Sequence, residues 1–375
     1  MERVTFLLSK DPTTEHGGDI ALSRILIQIA SEHYDVETVC LSGESGPAAD
    51  RSVTRVPKPP VSARSLLTRS ARRMQSLCHV RYDVEALVAE LNSRESDVFI
   101  AEHSYMAESF LRSRHAGTAP FVVNTVNTES EVWKATRGWI GRVEAPRILR
   151  DEVRVARAAD AVGTYDREEA EFYRDRGVRM ARWIDLTLPP APRLDLTSTA
   201  RRLVFMGTRD WPPNQEAFLT ALRLWPKISD GISDAELCII GAKKPGAVDP
   251  EYPQGVQDLG FVDDLQEFLG TCRALIAPVS TGGGVRVKIL EAAAKGLPVV
   301  GTSAAIGSLG PVLGLDPRDS DDEFIAECRR FLLETDYSTK NGSELYERNA
   351  SRWEAGVPQE SVLGLIARNP VPAGR

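Results

Sequence analysis

Short apolar runs alternate with amphipathic stretches along the whole chain, and the alternation restarts once. The first run, Val4–Leu8, leads into a loop ending His16-Gly17-Gly18-Asp19, after which Ile20, Leu22, Ile25, Leu26, Ile29 and Ala30 recur at helical spacing. Runs at Val36–Leu41, Asp97–Ala101, Pro120–Asn124 and Ala161–Thr164 predict further strands, the last preceded by the amphipathic segment Ile148–Ala159. The pattern changes between Asp185 and Arg202, where Pro189-Pro190-Ala191-Pro192 suits neither a helix interior nor a central strand. It resumes with a strand at Leu203–Met206, a helix at Gln215–Trp225 and a strand at Glu236–Ile240 ending on Gly241. Gly260-Phe261-Val262 then precedes a helix opening at Asp263-Asp264. Ala274–Val279 is the next strand, followed by a glycine loop, a helix stopped by Gly296, and a strand at Pro298–Gly301. Asp322–Glu334 reads as a helix and Gln359–Ala367 as a final amphipathic one, with a disordered tail beyond Pro370.

Strands alternating with helices predict an α/β fold on parallel sheets. At 375 residues the chain exceeds one ordinary core, and the restart divides it. The expectation is two doubly wound, Rossmann-like domains facing a cleft. Residues 1–188 form the first, 189–201 a linker and 202–350 the second, while 351–375 hold a helix returning to the first domain. Ligands of such sheets lie beyond the carboxyl ends of the strands.

Composition narrows the chemistry. A net charge of −7 argues against nucleic acid as the main partner. The five cysteines are scattered without metal-like spacing, and Cys40 and Cys238 fall in apolar runs, so a reducing, cytoplasmic compartment is expected. No apolar run approaches the ~20 residues of a membrane span, and the N-terminus enters a strand with no signal-peptide pattern.

The richest segment is Thr281-Gly282-Gly283-Gly284-Val285-Arg286-Val287-Lys288-Ile289-Leu290-Glu291. Three glycines precede a helix that carries two cations near its start, where the helix dipole is already positive. That placement makes sense around a bound anion held by backbone N–H groups, Arg286 and Lys288. Glu291 shares the face of Lys288 and suits ribose hydroxyls beside a phosphate. The segment reads as a nucleotide-diphosphate cradle; the alternative is a tight turn feeding a helix with two solvated cations.

Taken with Gly207-Thr208-Arg209-Asp210-Trp211-Pro212-Pro213-Asn214, Ile240-Gly241, Gly260-Phe261-Val262-Asp263-Asp264-Leu265 and Ala277-Pro278-Val279, this segment resembles the GT-B fold retaining glycosyltransferases of family 4, or group 1. In the first half, His16-Gly17-Gly18 resembles the family's first glycine loop and Asn127-Thr128-Glu129-Ser130 its Asn-x-Glu-Ser segment. The aspartate and histidine often found just upstream are Asn124 and Val126 here. The resemblance implies a glycosyltransferase moving a hexose from a nucleoside diphosphate sugar (UDP- or GDP-linked) to an acceptor hydroxyl with retention. It implies donor contacts from Gly17, Gly18, Arg209, Val262, Gly282, Gly283, Gly284, Val285 and Glu291, with Arg286 and Lys288 on the leaving diphosphate. No cofactor or metal is expected. The family's glutamate eight residues before Glu291 is Gly283 here. A sugar-nucleotide epimerase of the same fold, or a catalytically inactive nucleotide-sugar-binding protein, is the alternative.

All five histidines precede residue 116. His103, at the carboxyl end of a predicted strand beside Glu102, is the candidate to contact the donor sugar or the acceptor. His16, Asn127 and Glu129 are candidates on the acceptor side, the acceptor being a glycan, glycolipid or small metabolite. Gly17-Gly18 could instead only permit positive φ, with Asp19 as helix N-cap. Between Arg51 and Tyr82 stand eight basic residues and no acidic one. That stretch is either a solvated helix or a surface for anionic lipid or a phosphorylated acceptor, which would put the protein peripherally at the inner face of a membrane.

Overall fold

The computed structural model describes residues 1–369 apart from 210, 244, 245, 247, 249 and 281–285. These residues form two compact units, one of Met1–Leu186 with 358–369, the other of Thr187–Ser280 with Arg286–Val357.

The first unit is built on a parallel sheet of β1 (Arg3–Leu8), β2 (Asp35–Ser42), β3 (Val53–Pro57), β4 (Val98–Glu102), β5 (Phe121–Thr125), β6 (Ala161–Thr164) and β7 (Ala181–Trp183). Their spatial order is β3-β2-β1-β4-β5-β6-β7. The central strands β4 and β5 are buried at every residue, which is why they read as unbroken apolar runs. The edge strands β3 and β7 were not legible in the pattern. Val53-Thr54-Arg55-Val56-Pro57 is half polar and β7 is three residues long, as suits edges with one neighbour. The helices α1 (Gly18–Ser31), α2 (Ala63–Arg73), α3 (Glu129–Thr136) and α4 (Gly138–Ala158) belong to this unit. α4 begins ten residues before the segment Ile148–Ala159 because it continues through Pro146. The order in which strands are added reverses between β1 and β4, so the loops after these strands line a crevice. The helix Val357–Ile366 closes on β6, where a Cβ on Gly163 would lie 2.6 Å from Leu365.

The second unit repeats the scheme with β8 (Arg202–Met206), β9 (Glu236–Ile240), β10 (Val256–Gly260), β11 (Ala274–Ala277) and β12 (Val299–Gly301), all parallel, in the order β10-β9-β8-β11-β12. Here the switch lies between β8 and β11. β10, an edge strand with alternating exposure, escaped the sequence pattern, as did the polar helix Thr335–Glu354. Helix α5 (Pro212–Ser229) follows β8, and α6 (Val287–Lys295) follows β11 and stops at Gly296 with φ +76°. The core gathers around Trp225, Phe205 and Phe218. Trp225 is fully buried and its indole N–H donates to the Gln254 carbonyl at 2.8 Å, so no polar atom is stranded. All five cysteines are free and buried.

Candidate active site

In the second unit polar contacts stitch the switch between β8 and β11, among them Ser280 Oγ donating to Glu216 Oε1 at 2.5 Å. Lys288, in the first turn of α6, donates through Nζ to Asn214 Oδ1 on α5 at 3.1 Å. Its ammonium also lies 5.5 Å from the Phe205 ring centroid. Among the described residues no carboxylate stands within salt-bridge distance of it. Burial without a countercharge lowers its pKa from 10.5 to about 8. Asn214 in turn donates to the Thr208 carbonyl at 3.0 Å, which fixes the loop after β8. Gly207 allows this, since a Cβ there would sit 3.0 Å from Asn214.

Arg286 is the N-cap of α6. Its guanidinium packs on the α-carbon of Gly307, where any side chain would collide with it. Gly307 has φ +51°, a backbone conformation that also favours glycine. Glu291 lies one turn beyond Lys288, and burial raises its carboxyl above the usual range. Val262 is half-buried beside Gly260 (φ +61°), with Phe261 84% exposed between them. Arg209 is buried, its Nη2 donating to both carboxylate oxygens of Asp258 at 2.8 and 2.9 Å, and Tyr252 donates to the same carboxylate at 2.9 Å. Its guanidinium therefore already has a carboxylate partner. Gly282, Gly283, Gly284, Val285 and Asp210 lie outside the described residues.

In the first unit the switch between β1 and β4 gathers charge of both signs. His103 follows β4 with φ +71°, which costs ~1–3 kcal/mol for a non-glycine residue and is held by its surroundings. Its N–H donates to the Asn124 carbonyl at 2.7 Å, and its ring stacks 4.7 Å from that of Tyr105. Nδ1 lies 3.5 Å from Glu129 Oε1 and Nε2 3.9 Å from Asp19 Oδ2. Burial opposes the imidazolium, but Asp19 and Glu129 outweigh it and raise the pKa from 6.5 to about 9. Asp19 also pairs with Lys10 at 2.7 Å. The N-cap of α1 is Gly17, at φ +145°, so the alternative reading with Asp19 as N-cap does not hold. A Cβ on Gly17 would lie 2.7 Å from Asp19 Oδ1, so the glycine frees the carboxylate to face His103.

Glu129 opens α3 and its N–H donates to Glu152 Oε1 at 2.6 Å. Burial, with the charge of Glu129 adding to it, pushes Glu152 up to about 8. Glu102 accepts from Asn124 Nδ2 at 3.0 and 3.1 Å, and burial pushes it up to about 7. His16 and Gly18 are exposed, and Asn127 is half-buried two residues before Glu129. Thus His103 and Glu129 come together. Sequence reasoning missed the charge partners Asp19, Lys10 and Glu152, the Lys288 partner Asn214, and Gly307. Only Asp19 carried a signal, its place beside a double glycine.

Residues 200–334 match the family model of the Glycosyl transferases group 1. Solved structures align over nearly the whole chain. Sucrose-phosphate synthase from Thermosynechococcus elongatus is 16% identical over 97% of this chain and 98% of its own, with a TM-score of 0.73. HepE from Anabaena, in complex with UDP and glucose, is 13% identical over 97% and 99%, with a TM-score of 0.66. WaaG, a glycosyltransferase involved in lipopolysaccharide biosynthesis, is 14% identical over 97% and 99%, with a TM-score of 0.65. The fold is GT-B. Curated protein sequences give no match. The group 1 match falls on the second GT-B unit and spans Asn214, Arg286, Lys288, Glu291 and Gly307. Match and fold together support a glycosyltransferase. Among the described residues no cluster of His, Cys, Asp or Glu is arranged to hold a metal ion.

Proposed function

We propose that the protein is a retaining glycosyltransferase that moves a hexose from a nucleoside diphosphate sugar to an acceptor hydroxyl. The observation that carries this reading is Lys288, a buried ammonium without a carboxylate partner among the described residues, at the switch point of the second sheet beside Arg286. A diphosphate supplies the missing anion. As the glycosidic bond breaks, charge grows on the leaving phosphate, and Lys288, Arg286 and the N–H groups opening α6 stabilise it there. These cations take the place of a metal. Glu291, at the same helix end, accepts from the ribose hydroxyls, and Val262 meets the base through its backbone. The UDP held by HepE fits a donor of this class.

On the other unit His103 is a poor base, because its ring nitrogens face two carboxylates that keep it protonated. It serves as a fixed cation and hydrogen-bond donor toward a sugar hydroxyl, with His16, Asn127 and Glu129 on the acceptor side. Retention then needs no protein base if the leaving phosphate takes the acceptor's proton on the face it departs from. The acceptor is a glycan, a glycolipid or a small metabolite. With Gly283 where the family has a glutamate, the sugar contact of that carboxylate comes from elsewhere.

The test is incubation with UDP- and GDP-hexoses and separation of products. Slow release of the nucleoside diphosphate, with the hexose on water or an acceptor in the α or β form of the donor, supports the reading. An isomerised sugar nucleotide, or binding without turnover, replaces it with the epimerase or the inactive binder.

A further inference from the structure

Six of the eight basic residues between Arg51 and Tyr82 fall into two sets in the fold. Arg55 pairs with Asp11 at 2.6 Å and Lys58 with Glu15 at 2.7 Å. Arg69 donates to the carbonyls of Val80 and Asp83, and Arg73 pairs with the Asp83 carboxylate. These four residues fasten the segment to its own unit. Arg64 and Arg72 do not take part. They are exposed on α2, a helix in which only Ser70 is buried. The same helix and its flanks expose Leu67 by 59%, Val61 by 59% and Met74 by 72%.

A second exposed apolar group opens α4, where Trp139 is 74% exposed, Ile140 43% and Val143 62%. Arg137 and Arg142 flank it and are exposed too. Two arginines of α4 tie its middle to the end of α2. Arg147 donates to Ser70 Oγ and to the Gln75 carbonyl, both at 2.8 Å, and Arg150 donates to the Met74 carbonyl. The two exposed apolar groups thus stand on elements that are joined to each other within one unit.

Charge decides what covers these apolar groups. Among the described residues Arg64, Arg72, Arg137 and Arg142 have no carboxylate within salt-bridge distance. The nearby acids on α4 are turned inward, Glu144 accepting from the Leu77 N–H at 2.8 Å and Asp151 from the Ser76 N–H at 2.6 Å. A chain of net charge −7 thus gathers arginines around an exposed tryptophan and aliphatic side chains. A second copy of this face would set arginine against arginine across the contact. An anionic lipid surface answers both features, since indole rings settle at the headgroup level and arginines meet its phosphates.

We propose that the outer face of α2 and the start of α4 dock the protein on an anionic bilayer, with Leu67, Trp139, Ile140 and Val143 entering the interface and Arg64, Arg72, Arg137 and Arg142 held at the phosphates. No helix of the described residues is long and apolar enough to cross the membrane, so this is a surface contact. It is independent of the sugar-transfer reading.

The experiment is co-sedimentation of the full chain with vesicles of pure phosphatidylcholine and of phosphatidylcholine with phosphatidylglycerol, at low and high salt. Binding is expected to the anionic vesicles only and to weaken with salt. Each of Arg64→Gln and Arg142→Gln should weaken it on the order of fivefold. Trp139→Ser should lower it further, and both kinds of variant should keep the wild-type circular dichroism because the positions are exposed. Absence of binding to anionic vesicles, or binding that none of these variants changes, overturns the proposal. So does a dimer in solution that Trp139→Ser dissociates while vesicle binding persists. A protein that binds vesicles but no nucleotide keeps this inference and loses the transferase reading, and the reverse result does the opposite.

Discussion

Replacing Lys288 with methionine should make the unliganded protein more stable and at the same time blind to nucleotide. The ammonium is shifted from 10.5 to about 8 by burial, so its charged form opposes folding at neutral pH by on the order of 3 kcal/mol. Methionine keeps the length and apolar stem while removing that charge. Against the gain stands the lost hydrogen bond to Asn214, worth about 1 kcal/mol. The net expectation is a stabilisation of about 1–2 kcal/mol, or a rise of a few degrees in the melting temperature of the second unit. The sign has its own pH signature. The depressed lysine binds fewer protons in the folded state than in the unfolded one between pH 8 and 10.5, so wild-type stability should rise across that window relative to Lys288→Met. Added UDP or GDP should reverse the order. At a hundredfold excess over its dissociation constant, ligand stabilises the wild type by about 2.7 kcal/mol and should leave the variant unmoved. Thermal denaturation with and without nucleotide, with calorimetric titration beside it, reads both effects. A variant less stable than wild type that still gains from nucleotide would refute the argument, because the lysine would then be a structural partner of Asn214 and nothing more.

Gly307→Ala should push the Arg286 guanidinium off its seat and cost ~10²–10³ in turnover, and Gly307→Ala with Arg286→Ala should be no slower than Arg286→Ala alone, measured by initial rates on the best donor. His103 is raised from 6.5 to about 9, so its contribution to stability is complete below pH 6.5 and is lost as pH rises through 9. Thermal melts of wild type and His103→Gln over that range should differ by an amount that shrinks toward high pH, from on the order of 3 kcal/mol. Trp225→Ala should destabilise the second unit by ~3–5 kcal/mol in denaturant titrations, since it empties the core and strands the Gln254 carbonyl.

The parallel sheets were legible because their central strands are buried on both faces and leave unbroken apolar runs, as at Phe99-Ile100-Ala101 and Phe121-Val122-Val123. The edge strands β3 and β10 left no such trace. One edge of each meets no second strand, and residues such as Arg55 and Asp258 there serve ion pairs rather than the core. Helix ends failed at prolines, since Pro146 and Pro226 both lie inside helices that tertiary packing sustains. Among the proposed site residues, Arg286, Lys288 and Glu291 could be grouped from sequence because they stand at the start of one helix. Sequence could not pair Lys288 with Asn214, 74 residues away, or Arg286 with Gly307, because those contacts exist only once β8, β11 and β12 lie side by side.

The two switch points differ in their charge balance, and the difference bears on which substrate part each receives. At β1 and β4, the carboxylates of Asp19 and Glu129 face the ammonium of Lys10 and the imidazolium of His103. Glu152 is pushed up to about 8 and so is mostly neutral at pH 7. Glu102, pushed up to about 7, adds further carboxylate character, so this site holds no positive charge in excess of its acids. A phosphate added there would meet two carboxylates before it met a free cation, and it would gain nothing from the imidazolium they already hold. At β8 and β11, by contrast, Lys288 has no carboxylate of its own among the described residues, and the one acid on the same helix, Glu291, is raised toward its neutral form by burial. An anion entering that site gains the full interaction with a desolvated ammonium, and it restores the proton that burial had loosened. The proposed diphosphate therefore suits the second unit. The constellation around His103 suits uncharged hydroxyls, which can accept from the imidazolium and donate to the carboxylates without disturbing either charge.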